Sequence, residues 1–207
     1  TRLVWIANPN NPTGTFLPYE QLRAFVAAVP ADVVVVIDEA YNEYIPPSER
    51  VDTAEWLAEF PNLVITRTFS KIYGLAGLRV GYAMASAEVA DLMNRVRQPF
   101  NCNNLAIAAA AAALGDEEFV ARSYALNRAG MEQIVAGLKR LGYAHIPSSG
   151  NFLAFKAGDA AALNQKLLKQ GVIVRPVAGY GMPEWLRVTI GSENENARFL
   201  EALELAQ

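Results

Sequence analysis

Val33-Val34-Val35-Val36-Ile37, running into Asp38-Glu39-Ala40-Tyr41, is the stretch whose reading decides the fold. Its β-branched side chains do not alternate with polar ones. That is the pattern of a parallel strand covered on both faces. Outward from it, residues 3–7 and 63–68 read as further strands, and residues 80–85 as another. Between the first two strands, residues 18–29 carry Leu22, Phe25, Val26 and Val29 at helical spacing; after Tyr41, residues 53–60 read as a short helix. This β-α-β-α-β order predicts an α/β fold with a mostly parallel sheet.

The pattern then changes. Residues 86–97 and 103–114 are helical, the latter including the alanine run 106–113, read as a closely packed core helix. Residues 116–141 form a long amphipathic stretch in which Gly130 is the place for a kink. Segments 143–146 and 151–156, a helix over 160–170, a short strand over 172–174, a strand over 185–190 and a helix over 194–205 complete the chain. This tail reads as a smaller α+β domain. The expected division is 1–120 for the second part of a large domain and 121–207 for the small C-terminal domain, with the boundary inside the long helix near residues 115–125. The first strand has no preceding element to complete a sheet, so a segment before Thr1 is expected.

Composition removes several function classes. The chain has 207 residues, 52% hydrophobic and 19% charged, which is enough for a sizeable core. A net charge of −3 with acids and bases interspersed gives no footprint for nucleic acid and no polybasic membrane anchor. No apolar run approaches the roughly 18–20 residues that span a bilayer. The single cysteine, Cys102, cannot form an internal disulfide, so a reducing, cytoplasmic setting is expected. Cys102 reads as a packing residue and the single histidine, His145, as a surface or loop residue. No metal site is expected from their spacing.

In an open parallel sheet, ligands bind beyond the carboxyl ends of the strands. The polar clusters of this chain fall there: Asn8–Gly14 after the first strand, Asp38–Tyr41 after the second, Thr68–Lys71 after the third, and Arg79 at the opening of the fourth. Each is weak by itself, since an Asn-Pro-Thr-Gly loop is usually a turn. Together and in this order they describe one site.

The segments Asn10-Asn11-Pro12-Thr13-Gly14, Ile37-Asp38-Glu39-Ala40-Tyr41 and Thr68-Phe69-Ser70-Lys71-Ile72-Tyr73-Gly74-Leu75-Ala76-Gly77-Leu78-Arg79-Val80-Gly81-Tyr82 resemble fold-type I pyridoxal 5'-phosphate (PLP)-dependent aminotransferases of classes I and II. Within that family the chain is most similar to the histidinol-phosphate aminotransferases. Pro99-Phe100-Asn101, Gly150-Asn151-Phe152 and Leu186-Arg187-Val188-Thr189-Ile190-Gly191 also match.

The resemblance assigns roles residue by residue. Lys71 would bond covalently to PLP and, once freed by substrate, carry the proton removed from the substrate Cα. Asp38 would keep the pyridine nitrogen protonated. Its neighbour Glu39 points to the other face in an extended segment. Asn11 and Tyr41 would hydrogen-bond the ring's 3-oxygen. Ser70, Thr68 and the planar fork of Arg79 would hold the phosphate, with Gly74, Gly77 and Gly81 letting the chain turn back to bring Arg79 there. Arg187, a charge within an apolar strand, would grip a substrate α-carboxylate. Arg175 and Asn151 are further candidate substrate contacts, and the Asn11–Pro12 bond is a candidate cis peptide, as in the family.

The resemblance also implies a homodimer, small-molecule amino and keto acids as substrates, and site parts that precede Thr1. Those parts are an aromatic residue stacked on the ring, a helix N-terminus for the phosphate, an N-terminal arm, and a tyrosine from the second subunit. The implied reaction is transamination of histidinol phosphate with 2-oxoglutarate in histidine biosynthesis. Two alternatives share the motifs: an aromatic amino-acid aminotransferase, and a PLP-dependent decarboxylase of phosphothreonine type.

Overall fold

The computed structural model describes all 207 residues, and internal contacts divide them into two units. The first comprises Thr1–Pro9 and Phe16–Ala121; the second comprises Asn10–Thr15 and Arg122–Gln207.

In the first unit, β1 (Leu3–Ala7), β2 (Val34–Asp38), β3 (Leu63–Thr68) and β4 (Gly81–Ala85) form one sheet in that order. β1, β2 and β3 are parallel, with Ala7 opposite Asp38 and Asp38 opposite Thr66. β2 is interior, as its uninterrupted apolar run requires. Val35 and Ile37 pack with Leu22 and Val26 of α1 (Tyr19–Ala28) and with Trp56 and Phe60. Val36 is buried on the opposite face.

The sheet is mostly parallel as expected, and β4 is its antiparallel member, pairing with β3 with Gly81 opposite Thr68. A parallel return needs a long crossover, usually a helix. Residues 69–80 instead make turns, and Phe69 N–H donates to Val80 O at 3.2 Å, so the chain folds straight back. Gly81 permits the close approach, because a Cβ there would lie 2.8 Å from Arg67 O. The helix expected over 53–60 is a tighter 3-10 helix, Thr53–Ala58, whose N-cap Asp52 accepts from Ala54 N–H. Three helices follow: α2 (Ala87–Val96), capped by Ser86; α3 (Asn104–Leu114), capped by Asn103; and α4 (Glu117–Arg140).

α4 runs without a break through Gly130, so no kink is needed to explain that glycine. A Cβ at Gly130 would lie 2.6 Å from Ile190 Cγ2 and 2.7 Å from Asn196 Nδ2. The glycine is there for contact with the second unit's own elements. These are β5 (Phe152–Lys156), α5 (Ala160–Lys169), β6 (Arg175–Pro176), β7 (Trp185–Thr189) and α6 (Glu193–Leu205). The strands pair antiparallel in the order β5-β7-β6. Ile134, Leu138, Phe155, Leu167, Leu186 and Leu203 lie at the centre of their core.

Residues 172–174 are not a strand. α5 ends at Lys169, and just past its cap Gly171, at φ 76°, turns the chain so that Val172 N–H returns to Leu167 O. This glycine-dependent stop uses the residues that would have paired, and Ile173 is left 84% exposed. Pairing begins only at Arg175. Likewise 143–146 contributes a single bridge, His145 to Phe155. Cys102 packs against the small cluster of Phe69, Val80, Ala106 and Ala110.

Candidate active site

The carboxyl ends of β1 and β2 finish level, β3 runs two residues further to Thr68, and Asn8 N–H donates to Asp38 O at 2.9 Å to tie the first two together. Asp38 closes β2, and its Oδ1 accepts from Ala40 N–H at 3.1 Å, which fixes the carboxylate in a short turn. That turn leads into Tyr41, which is buried.

From the end of β3, Thr68 Oγ1 accepts from Ser70 N–H at 3.1 Å. Gly74 N–H reaches Lys71 O and Leu75 N–H reaches Phe69 O, coiling the segment into a tight loop. The loop lays the Lys71 Nζ over the Tyr41 ring, 5.3 Å from its centroid. Lys71 forms no salt bridge. Its amine is thus held against an aromatic face at the end of the sheet that also carries Asp38.

Because β4 is antiparallel, its start lies beside the end of β3, and Arg79 arrives at this same edge. Gly74, at φ 70°, and Arg79 itself, at φ 55°, make the turn; Gly77 has no positive φ. The Arg79 side chain is exposed, and its Nη1 donates to Ala76 O at 2.9 Å, so no hydrogen bond joins it to Ser70.

The remaining candidates belong to the second unit. Asn11 and Arg187 meet there, with Arg187 Nη1 donating to Asn11 Oδ1. Both Asn8–Pro9 and Asn11–Pro12 are cis peptides. Arg187 also lies over the Phe152 ring, 4.8 Å from its centroid, and its Nε is buried without a hydrogen-bond partner. Arg175 is its register partner across the sheet. Two like charges facing each other on adjacent strands repel, and no carboxylate forms a salt bridge with either. A guanidinium with a buried orphan N–H, facing a second guanidinium and with no salt bridge to either, is an arrangement suited to an anion. Asn151 sits at the turn before β5, its carbonyl accepting from Ile190 N–H.

One set of residues escaped the sequence reading as a group: Glu39, Thr53 and Arg67. Glu39 is 1% exposed. Its Oε1 accepts from the Thr53 hydroxyl at 2.6 Å and its Oε2 from Arg67 Nε at 2.8 Å. Burial pushes the Glu39 carboxyl up, against the pull of Thr53 and Arg67. The Glu43 carboxyl is likewise pushed up by burial. Strand alternation was the available signal, since Arg67 and Glu39 lie two residues beyond the core residues Ile65 and Ile37.

The model of the family "aminotransferase class I and II" matches residues 1–203. The chain belongs to this family. Among aminotransferases with curated descriptions, histidinol-phosphate aminotransferase 1 of Dechloromonas aromatica is 78% identical over 206 residues, covering 100% of this chain and 57% of that relative. The chain therefore spans little more than half the length of that aminotransferase.

Among solved structures, histidinol-phosphate aminotransferase from Sinorhizobium meliloti in complex with pyridoxal-5'-phosphate is 32% identical with a TM-score of 0.92, over 99% of this chain and 57% of that one. L-threonine-O-3-phosphate decarboxylase from Porphyromonas gingivalis is 26% identical with a TM-score of 0.85, over 98% and 63%. The aminotransferase framework thus carries α/β order with a mostly parallel sheet in its first unit and an antiparallel sheet in its second.

Proposed function

We propose that the natural chain carrying this sequence is a PLP-dependent aminotransferase that moves the amino group between histidinol phosphate and 2-oxoglutarate, in histidine biosynthesis. The observation that carries the reading is the placement of Lys71 over Tyr41 at the sheet edge that also carries Asp38. The 78% identity to a histidinol-phosphate aminotransferase favours the substrate.

The donor set fits PLP group by group. Asp38 is a carboxylate for a protonated ring nitrogen, and Tyr41 and Asn11 are donors for the 3-oxygen. Lys71 is an amine for the aldehyde carbon. Thr68, Ser70 and Arg79 are hydroxyls and a cation for the phosphate. Bound there, PLP supplies an electron sink for the charge left at the substrate Cα. Asp38 holds the proton on the ring nitrogen, because a fixed carboxylate favours the charged form of its neighbour. Lys71 takes the proton from Cα and returns it, as base and then acid. Arg187 grips the α-carboxylate of the amino or keto acid with its free Nε, and Asn11, already bound to Arg187, orients the guanidinium. Arg175 and Asn151 add substrate contacts. Proline-linked Asn11 and strand-held Arg187 are both on ordered backbone, which suits residues that must not move.

The reading extends to a cytoplasmic homodimer, following the family. It is tested by adding PLP to the natural chain, reducing with borohydride and mapping the adduct by peptide mass. A pyridoxyl group on Lys71 is the expected result, together with faster amino transfer from histidinol phosphate than from phenylalanine. Label scattered over surface lysines would end the assignment. Release of labelled CO₂ from phosphothreonine, with no amino transfer, would move it to the decarboxylases.

A further inference from the structure

Behind the proposed cofactor residues, on the other face of the same sheet, lies a polar cluster that the reaction does not use. In β2 the side chains of Val35, Ile37 and then Glu39 share one face; in β3 those of Leu63, Ile65 and then Arg67 share it too. The four apolar members belong to one core. Where that core ends, Arg67 Nε donates to Glu39 Oε2 at 2.8 Å, and the Thr53 hydroxyl donates to Oε1 at 2.6 Å. Arg67 Nη2 also reaches Asp52 Oδ1 at 3.4 Å.

The carboxylate is 1% exposed and the guanidinium 16%. Both carboxylate oxygens are occupied, so the group cannot rotate without breaking a buried hydrogen bond. Glu39 N–H donates to Thr66 O at 2.9 Å, extending the ladder to this point. The two anchors of the ion pair are the chain neighbours of Asp38 and Thr68, whose side chains face the opposite way.

We infer that Glu39 and Arg67 are a positioning pair: by cross-bracing the ends of β2 and β3 behind the site, they hold Asp38 and Thr68 at the angle at which these residues meet PLP. The inference rests on the reading of the site given above. A buried ion pair is a poor way to add stability, since apolar residues of similar volume often serve as well or better. What it adds is a fixed geometry. Glu39 and Asp38 share a peptide plane, as do Arg67 and Thr68, so a tilt at the rear pair is passed directly to the front residues. Displacements on the ångström scale at catalytic groups are costly to function.

The test uses the natural chain loaded with PLP, and the variants Glu39→Gln, Arg67→Met, Arg67→Lys and Thr53→Val. Four quantities are read: far-UV circular dichroism and the thermal midpoint of the apo-protein, the PLP dissociation constant, the visible circular dichroism of bound PLP, and kcat apart from KM. Glu39→Gln and Arg67→Met are expected to weaken PLP binding about tenfold and to diminish the visible dichroism. The kcat should fall more than KM rises. Arg67→Lys should recover part of the dichroism, because an ammonium restores the charge but not the fork. The double variant Glu39→Gln/Arg67→Met should be no worse than the poorer single variant.

Folded single variants with parental PLP affinity and parental visible dichroism would overturn the pair. If both fail to fold, Thr53→Val decides: it removes one hydrogen bond from Glu39, and an unchanged visible dichroism in a folded Thr53→Val protein would equally overturn it. A parent that binds no PLP would instead refute the cofactor reading, and the pair's role with it.

Discussion

Arg187 is a guanidinium placed midway along a strand of apolar neighbours, and its surroundings do not neutralise it. It stacks on Phe152, donates to Asn11, faces Arg175 across the sheet and keeps one buried N–H unused. On the proposed reading, Arg187→Gln removes the charge that holds the substrate carboxylate. With roughly 1.5–3 kcal/mol for each hydrogen bond to a charged group, kcat/KM for a carboxylate substrate should fall about 10²–10⁴-fold. PLP affinity should stay near that of the parent. Steady-state kinetics with 2-oxoglutarate, set beside a PLP titration, checks both halves, and an equal loss of PLP binding would assign Arg187 elsewhere. That Arg187 is a charge within an apolar strand was legible in the sequence, and the structure places it there with no salt bridge. The Glu39–Arg67 pair was not legible, because each residue sits beside a more conspicuous one, and only the sheet brings the two together.

Element by element, the long helix and the short strands show where local pattern suffices. α4 follows from its amphipathic spacing, but the reason for Gly130 does not. Ala is a better helix former by about 1 kcal/mol, so propensity alone predicts that Gly130→Ala stabilises. The structure predicts the reverse. The new methyl would lie 2.6 Å from Ile190 Cγ2, 2.7 Å from Asn196 Nδ2 and 3.1 Å from Gly191 O. Asn196 cannot yield easily, since it both accepts from Gly191 N–H and donates to Gly191 O. Overpacking of this kind costs roughly 1–3 kcal/mol, so a lower thermal midpoint is expected by calorimetry; a raised one would show that α4 and α6 can separate without loss. The direction of β4 is a similar case. The apolar run at 80–85 announces a strand, but whether it pairs parallel or antiparallel depends on the short path back from Thr68.

Over the whole molecule, stability should depend on pH through groups that the fold keeps protonated. Tyr19 is the case with a definite window. Burial, and next the charge of Glu39, push its phenol from 10.0 up to about 12. A group whose pKa is raised by folding contributes stability that is complete below its unfolded pKa and is lost as pH rises through the folded one. The Tyr19 contribution is thus intact below pH 10.0 and disappears toward about 12. Thermal midpoints between these values should decline for the parent and decline less for Tyr19→Phe. That variant starts lower, since it lacks the bond from the Tyr19 hydroxyl to Asn42 Oδ1, a loss of about 1 kcal/mol. Equal slopes would place the titrating group elsewhere.

The sequence by itself determined that residues 34–37 lie in a buried strand, that the first unit is a mostly parallel α/β sheet and that a long helix follows it, because apolar periodicity and chain order are local properties. The tertiary structure decided the rest: the reversal of β4, the return of Asn10–Thr15 to the second unit, the meeting of Asn11 with Arg187, and the closing of Glu39 on Arg67. Each of these joins residues far apart in the chain. Such contacts depend on which faces the sheet and helices bury together, and no local stretch of residues encodes that by itself.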